Sequence, residues 1–264
     1  VDWIFDTFFV YIKAFNTWLI VEVLQPMRAL YLRMPAVATL VLVVGAGYLI
    51  GGIRSALVVF GLTLFIALSP WWDRALVTTY MATFGVIMSC AIGFTVGTLC
   101  FQSKRAAAFM LGVCDIFQTF PSFVYLIPVV MLLGIGKIPG LIAVVIYSIP
   151  PMIRLTNLGI RLVNQAVIEA ADSYGASNTQ KLIYIQIPLA LPTIMAGINQ
   201  TIMLALSMVV IASMIGVTGL GQPVLTAIQN QYFTLGIFNG FAIVGIAIVF
   251  DRVSQAYGKR IQES

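Results

Sequence analysis

Few residues in this 264-residue chain could do chemistry, and the most ordered set lies in one loop. Glu169-Ala170-Ala171 is followed after three residues by Gly175, and after nine more by Ile185-Gln186-Ile187-Pro188. These residues occupy 154–187, the only long polar interruption in a strongly apolar chain. The pattern predicts two short helices with a turn between them. Val167 to Tyr174 forms the first, and Gly175 is placed as its C-terminal stop. Ser177 opens the second, where Gln180 three residues on completes a capping box. Small Ala and Gly residues permit close helix approach, and Glu169 supplies one charge.

Catalysis has little to work with. Histidine is absent, so imidazole metal sites and His general-base chemistry are ruled out. No G-x-x-x-x-G-K-[ST] run exists, so the chain carries no P-loop of its own. Cys90, Cys100 and Cys114 sit in or beside apolar stretches and read as small buried hydrophobes. No catalytic residue, metal site or cofactor of this chain is expected. Asp115 is a charge in an apolar stretch, suited to a structural ion pair, a cap or a role in gating. Phe120, Phe123, Tyr125 and Tyr147 either pack or offer ring faces to a methylated ammonium ion. Asn199 and Gln200, with Thr201, Ser207 and Ser213, either bond across helices or line a path.

The elements that hold these residues must be membrane spans. Hydrophobic residues make up 61% of the chain and charged residues 9%, against about 25% charged in soluble domains. Seven apolar stretches approach the roughly 20 residues that a membrane helix needs. They are 35–51, 53–71, 78–101, 106–133, 138–153, 189–215 and 235–250. The fourth is expected to break at Pro121, and the fifth to end at Pro150-Pro151. The net charge of +5 reflects basic loops rather than nucleic-acid binding, because no run of Lys and Arg interleaved with aromatics exists. With 154–187 inside, nine of the 14 Lys and Arg residues are cytoplasmic and five are outside. Seven spans then put the N-terminus outside and the C-terminus in the cytoplasm.

Residues 2–24 differ from the spans. Asp2, Asp6, Lys13, Asn16 and Thr17 fall within about 100° of a helical wheel. The expectation is an amphipathic helix in the membrane interface, with an eighth span as the rival. The chain begins with Val rather than Met, which leaves the true N-terminus open.

With these residues in view, the loop resembles the EAA loop of ABC importer permeases. Ile187 is a conservative departure from the usual I-x-L-P ending. The segments 118–128, 149–157 and 189–211 are similar to permeases for glycine betaine, proline betaine and choline. Gly216-Val217-Thr218-Gly219-Leu220-Gly221 resembles the Gly-rich segment of that family. The resemblance covers roughly residues 30–257.

The resemblance implies an all-α polytopic membrane protein of about seven transmembrane helices. Residues 1–34 would be the interfacial segment, 35–74 two additional helices, and 75–257 the five-helix permease core with its coupling loop at 154–187. Glu169, Ala170, Ala171 and Gly175 would couple to a cytoplasmic ATPase dimer that binds the ATP and Mg. A second copy of the permease and an extracytoplasmic solute-binding protein would complete the assembly in a bacterial inner membrane. The implied cargo is a betaine-like osmolyte: glycine betaine, proline betaine, choline, carnitine or trimethylamine N-oxide. An ATP-independent secondary transporter or channel, and a non-transporting scaffold or sensor subunit, are the alternatives.

Overall fold

The computed structural model describes residues 17–263, and among these every regular element is a helix. The polar cluster Asp2, Asp6, Lys13 and Asn16 lies outside the described residues. A single π turn, Leu19–Leu24, runs into α1, Gln25–Arg33. Tyr31 of α1 lies against the fully buried Tyr80, with ring centroids 6.4 Å apart.

The first two apolar stretches form one element, α2, Ala36–Ala67, interrupted at Gly52. Gly52 has φ +70, a conformation that glycine adopts without a Cβ clash. The chain folds back on itself there. A Cβ on Gly47 would lie 3.7 Å from Ala56 Cα, whereas nine residues of straight helix span about 13.5 Å. The halves, 36–51 and 53–67, measure only about 24 and 22 Å at 1.5 Å per residue.

The remaining long helices build the bundle. These are α3, Trp72–Gln102; α4, Lys104–Thr119; α5, Leu126–Leu133, entered through the 3-10 turn Ser122–Tyr125; and α6, Lys137–Arg161. The loop helices α7, Gln165–Ser173, and α8, Asn178–Lys181, follow. Then come α9, Ile187–Ile211, α10, Gly221–Asn230, and α11, Phe233–Glu263. Among the described residues, five helices are long and apolar enough to cross a membrane when α2 is counted whole, and the bent pair α4–α5, taken as one span, makes a sixth.

Contacts give the helix directions. A Cβ on Gly85, Gly93 or Gly97 of α3 would meet Val144, Met152 or Thr156 of α6 at 2.6–2.7 Å. Both series rise together, so α3 and α6 run parallel. The α4–α5 pair must therefore carry the chain back across between them. Gly159 of α6 faces Ala190 and Thr193, and Gly197 of α9 faces Leu155, so α9 is antiparallel to α6. Gly258 of α11 lies on Met195, near the start of α9, and Gly236 lies on Ala227 of α10 at the other end. Thus α11 returns antiparallel to α9. The Gly-rich run 216–221 closes the end opposite the loop, where Leu220 N–H donates to Thr78 Oγ1 at 2.9 Å.

The two proline sites act differently. At Pro121 the helix breaks as expected, and α4 and the following 122–133 segment are bent by 108°. At Pro150-Pro151 the expected stop does not occur, and α6 continues to Arg161. There α6 is clamped between α3 and α9. Ser89 of α3 ties the two helices by donating to the Val145 carbonyl at 3.3 Å, and packing between neighbouring helices lets a membrane helix continue through proline. The sixth stretch also begins earlier than its apolar run, because α8 continues through the π turn Leu182–Gln186 into α9.

Candidate coupling loop and membrane path

The loop between α6 and α9 folds as its sequence predicts. Asn164 caps α7, its Oδ1 accepting from Ala166 N–H at 2.9 Å. Gly175 ends the helix at φ +75. Ala176 N–H donates to the Ala171 carbonyl at 3.0 Å, and Gly175 N–H to the Asp172 carbonyl at 2.9 Å. Those two bonds are the Schellman arrangement, which satisfies carbonyls left over at a helix end. Ser177 and Gln180 form the reciprocal capping box that starts α8. Lys181 pairs with Asp172 and ties α8 to α7.

The loop presents a distinct outer face. Ala171 is buried, while Glu169 and Ala170 are exposed. The Glu169 carboxylate makes no ion pair or hydrogen bond among the described residues. Tyr174 is 92% exposed at the end of α7, and Tyr184 is 75% exposed just beyond α8. An open carboxylate and two open aromatic rings on one loop suit a polar and apolar contact with another surface.

Arg161 anchors this loop to the bundle. Its Nη2 donates to the Cys100 carbonyl at 3.2 Å, its Nε donates to Asn157 Oδ1 at 3.0 Å, and its guanidinium lies 5.7 Å from the Phe101 ring centre. The ends of α3 and α6 are thereby held together beside the loop. Sequence reasoning missed this role, since only the fold brings residue 161 to residue 100.

Other candidate residues are distributed between the bundle and its surface. Asp115 of α4 forms an ion pair with Arg154 of α6. Tyr125 is buried and donates its hydroxyl to the Phe117 carbonyl across the Pro121 break. Its ring meets Tyr147 edge-on at 5.6 Å, which fastens α5 to α6. Phe120 and Phe123 are exposed and make no ring contact with either tyrosine among the described residues. Asn199 and Gln200 line a cavity of about 480 Å³ together with Gln118, Pro151, Met203, Leu204, Asp251 and Gln255. Gln118, Asp251 and Gln255 were not singled out from the sequence, because polar residues in two helices far apart in the chain carry no signal of a shared space. A larger, mostly apolar cavity of about 740 Å³ lies at the end opposite the loop, between the end of α2 and the start of α11.

Residues 89–263 match the family of binding-protein-dependent transport system inner membrane components. The chain belongs to this family. Among relatives of this inner membrane component, the trimethylamine N-oxide transport system permease protein TmoV of Pelagibacter ubique is 61% identical over 262 residues. The match covers 98% of this chain but 36% of that protein, so the chain spans about a third of this relative's length. The glycine betaine/proline betaine transport system permease protein ProW of Escherichia coli is 43% identical over 237 residues, covering 90% of this chain and 67% of that protein. A solved inward-facing structure of the MetNI methionine ABC transporter shares the fold, with TM-score 0.61 and 18% identity over 73% of this chain and 94% of that chain. The matched region contains the loop between α6 and α9, the Asp115–Arg154 pair and the polar cavity of this inner membrane component. It leaves out α1 and α2.

Proposed function

We propose that this chain is the membrane permease subunit of an ATP-driven importer for betaine-like or N-oxide methylated amines. The observation that carries the reading is the loop 162–181. It is a rigid, double-capped helix pair, fixed to the bundle by Arg161, with Glu169 and Tyr174 open on its outer face. The names of the relatives supply the solute class. ATP and Mg bind a separate cytoplasmic ATPase dimer, which docks on Glu169, Ala170, Ala171 and Gly175. A second permease copy and an extracytoplasmic binding protein complete the machine. Movement of the ATPase pair shifts the spans between outward and inward access, which requires the partners to bind the two states with different affinity. In the bacterial inner membrane the loop faces the cytoplasm and residue 35 faces outward, in keeping with the bias of Lys and Arg.

Reconstitution of the chain with its ATPase and binding protein in vesicles tests the reading. Uptake of glycine betaine or trimethylamine N-oxide should require ATP and the binding protein. Uptake by the chain alone, driven by an ion gradient, would establish a secondary transporter instead. Partner binding without any uptake would establish a scaffold.

A further inference from the structure

Near the middle of α9, three helices turn polar side chains toward one space. Asn199 lies twelve residues from either end of the 25-residue α9, about 18 Å at 1.5 Å per residue. Gln118 of α4, Gln200 of α9 and Asp251 and Gln255 of α11 line the same cavity, beside Pro151 of α6. Its volume of about 480 Å³ falls within the 300–1,000 Å³ typical of small-molecule sites.

The chemistry of the lining is unequal. No Lys or Arg lines the cavity, and Asp251 forms no ion pair among the described residues. Among the described residues, its Oδ1 accepts from Gln255 Nε2 on its own helix, at 2.7 Å, and from no other group. Asn199 Oδ1 is buried without a hydrogen-bond partner. A carboxylate without an ion-pair partner and an unused carbonyl oxygen, side by side in a membrane span, leave the space suited to a cationic group. Three glutamine amides nearby can donate N–H to an anionic group. The Asp115–Arg154 pair lies three residues from Gln118 on α4 and three from Pro151 on α6, in each case toward the loop end. It therefore stands between the cavity and the loop.

We infer that this mid-membrane cavity is a solute site of the permease itself, taking a small zwitterion with a methylated ammonium group. The inference rests on the importer reading above. Asp251 and Asn199 Oδ1 face the ammonium methyls, which carry the positive charge but no N–H. Gln118, Gln200 and Gln255 face the carboxylate or N-oxide oxygen. The Asp115–Arg154 pair bars the exit toward the loop until the bundle moves.

The test uses the full permease–ATPase complex in nanodiscs, with Cys90, Cys100 and Cys114 replaced and Met203→Cys introduced. The probe is a thiosulfonate reagent bearing a trimethylammonium group. It should modify position 203, and millimolar glycine betaine or trimethylamine N-oxide should slow modification on the order of tenfold. Asp251→Asn should raise the protecting concentration on the order of tenfold, and Asp251→Glu should stay within about threefold. Labelling insensitive to solute would overturn the site, as would parental protection in Asp251→Asn. Oxidative cross-linking between two copies at position 203, with no reaction toward the reagent, would also overturn it by showing a closed subunit contact. In each of these cases ATP-dependent uptake by the parental chain would leave the importer reading intact. Absence of such uptake would instead strike the importer reading itself.

Discussion

Gly175 has no neighbouring atom within 4 Å of the place a Cβ would occupy, so a side chain there meets no crowding. Its cost is conformational, because φ +75 disfavours L residues and most of all β-branched ones. Gly175→Val should cost about 1–3 kcal/mol locally and loosen the turn between α7 and α8. Gly175→Asn should be nearly neutral, since Asn tolerates the left-handed region. Glu169→Lys reverses the one carboxylate that lies open on the loop's outer face. Gly175→Val and Glu169→Lys should both insert normally and lose solute-stimulated ATP hydrolysis and uptake. Co-purification with the ATPase distinguishes weaker assembly from uncoupling. Parental transport by both variants would remove the loop from the coupling role. This residue-scale device was legible beforehand because it is local. An Ncap hydroxyl, a Gln three residues later and a glycine at a helix end do the same work in any fold.

Helix packing obeys a different logic. Along α3, Gly85, Ser89, Gly93 and Gly97 recur every four residues and form one small-residue stripe against α6. Ser89 and Ser148 share a buried hydroxyl contact at 2.8 Å within it. Small residues let membrane helices approach closely, so that van der Waals contact replaces the hydrophobic drive lost in lipid. Gly93→Leu would force atoms into Met152, whose Cβ lies 2.6 Å from the nearest added carbon. It should destabilise the purified complex by about 1–3 kcal/mol or more, read as a lower thermal midpoint. Gly112→Ala on α4 meets nothing within 4 Å and should stay within about 0.5 kcal/mol of the parent. Equal midpoints for the two variants would refute the stripe. Its four-residue period is visible in the sequence, but its partner is not. The same holds at Pro150-Pro151, where the flanking helices override the local breaker.

At the scale of the whole molecule, the helix directions place Gly52 and the loop on one side and the Gly-rich run 216–221 on the other. The second half of α2 ends at Ala67, just before α3 begins at Trp72 on the far side from the loop. Its turn at Gly52 therefore points toward the loop side. In a Cys-free background, Arg54→Cys and Asn178→Cys should react from the cytoplasmic face only, and Ser69→Cys from the outer face. Labelling of position 178 from outside intact cells would overturn the topology.

Composition, apolar run lengths, the break at Pro121 and the capped loop were determined by the sequence alone. Each depends on solvent preference or on bonds between residues a few positions apart. Tertiary structure decided the rest. It set the fold-back of α2 at Gly52, the continuity of α6, the Arg161 anchor on Cys100 and the pairing of Asp115 with Arg154. It also assembled Gln118, Asn199, Gln200 and Asp251 around one cavity. These pairings join residues 39 to 133 positions apart, between Asp115 and Arg154 and between Gln118 and Asp251. A lone polar residue in an apolar helix has no local partner to reveal its role. Only the packing of the helices supplies one, because that packing sets which faces are dry, which are shared and which enclose a space.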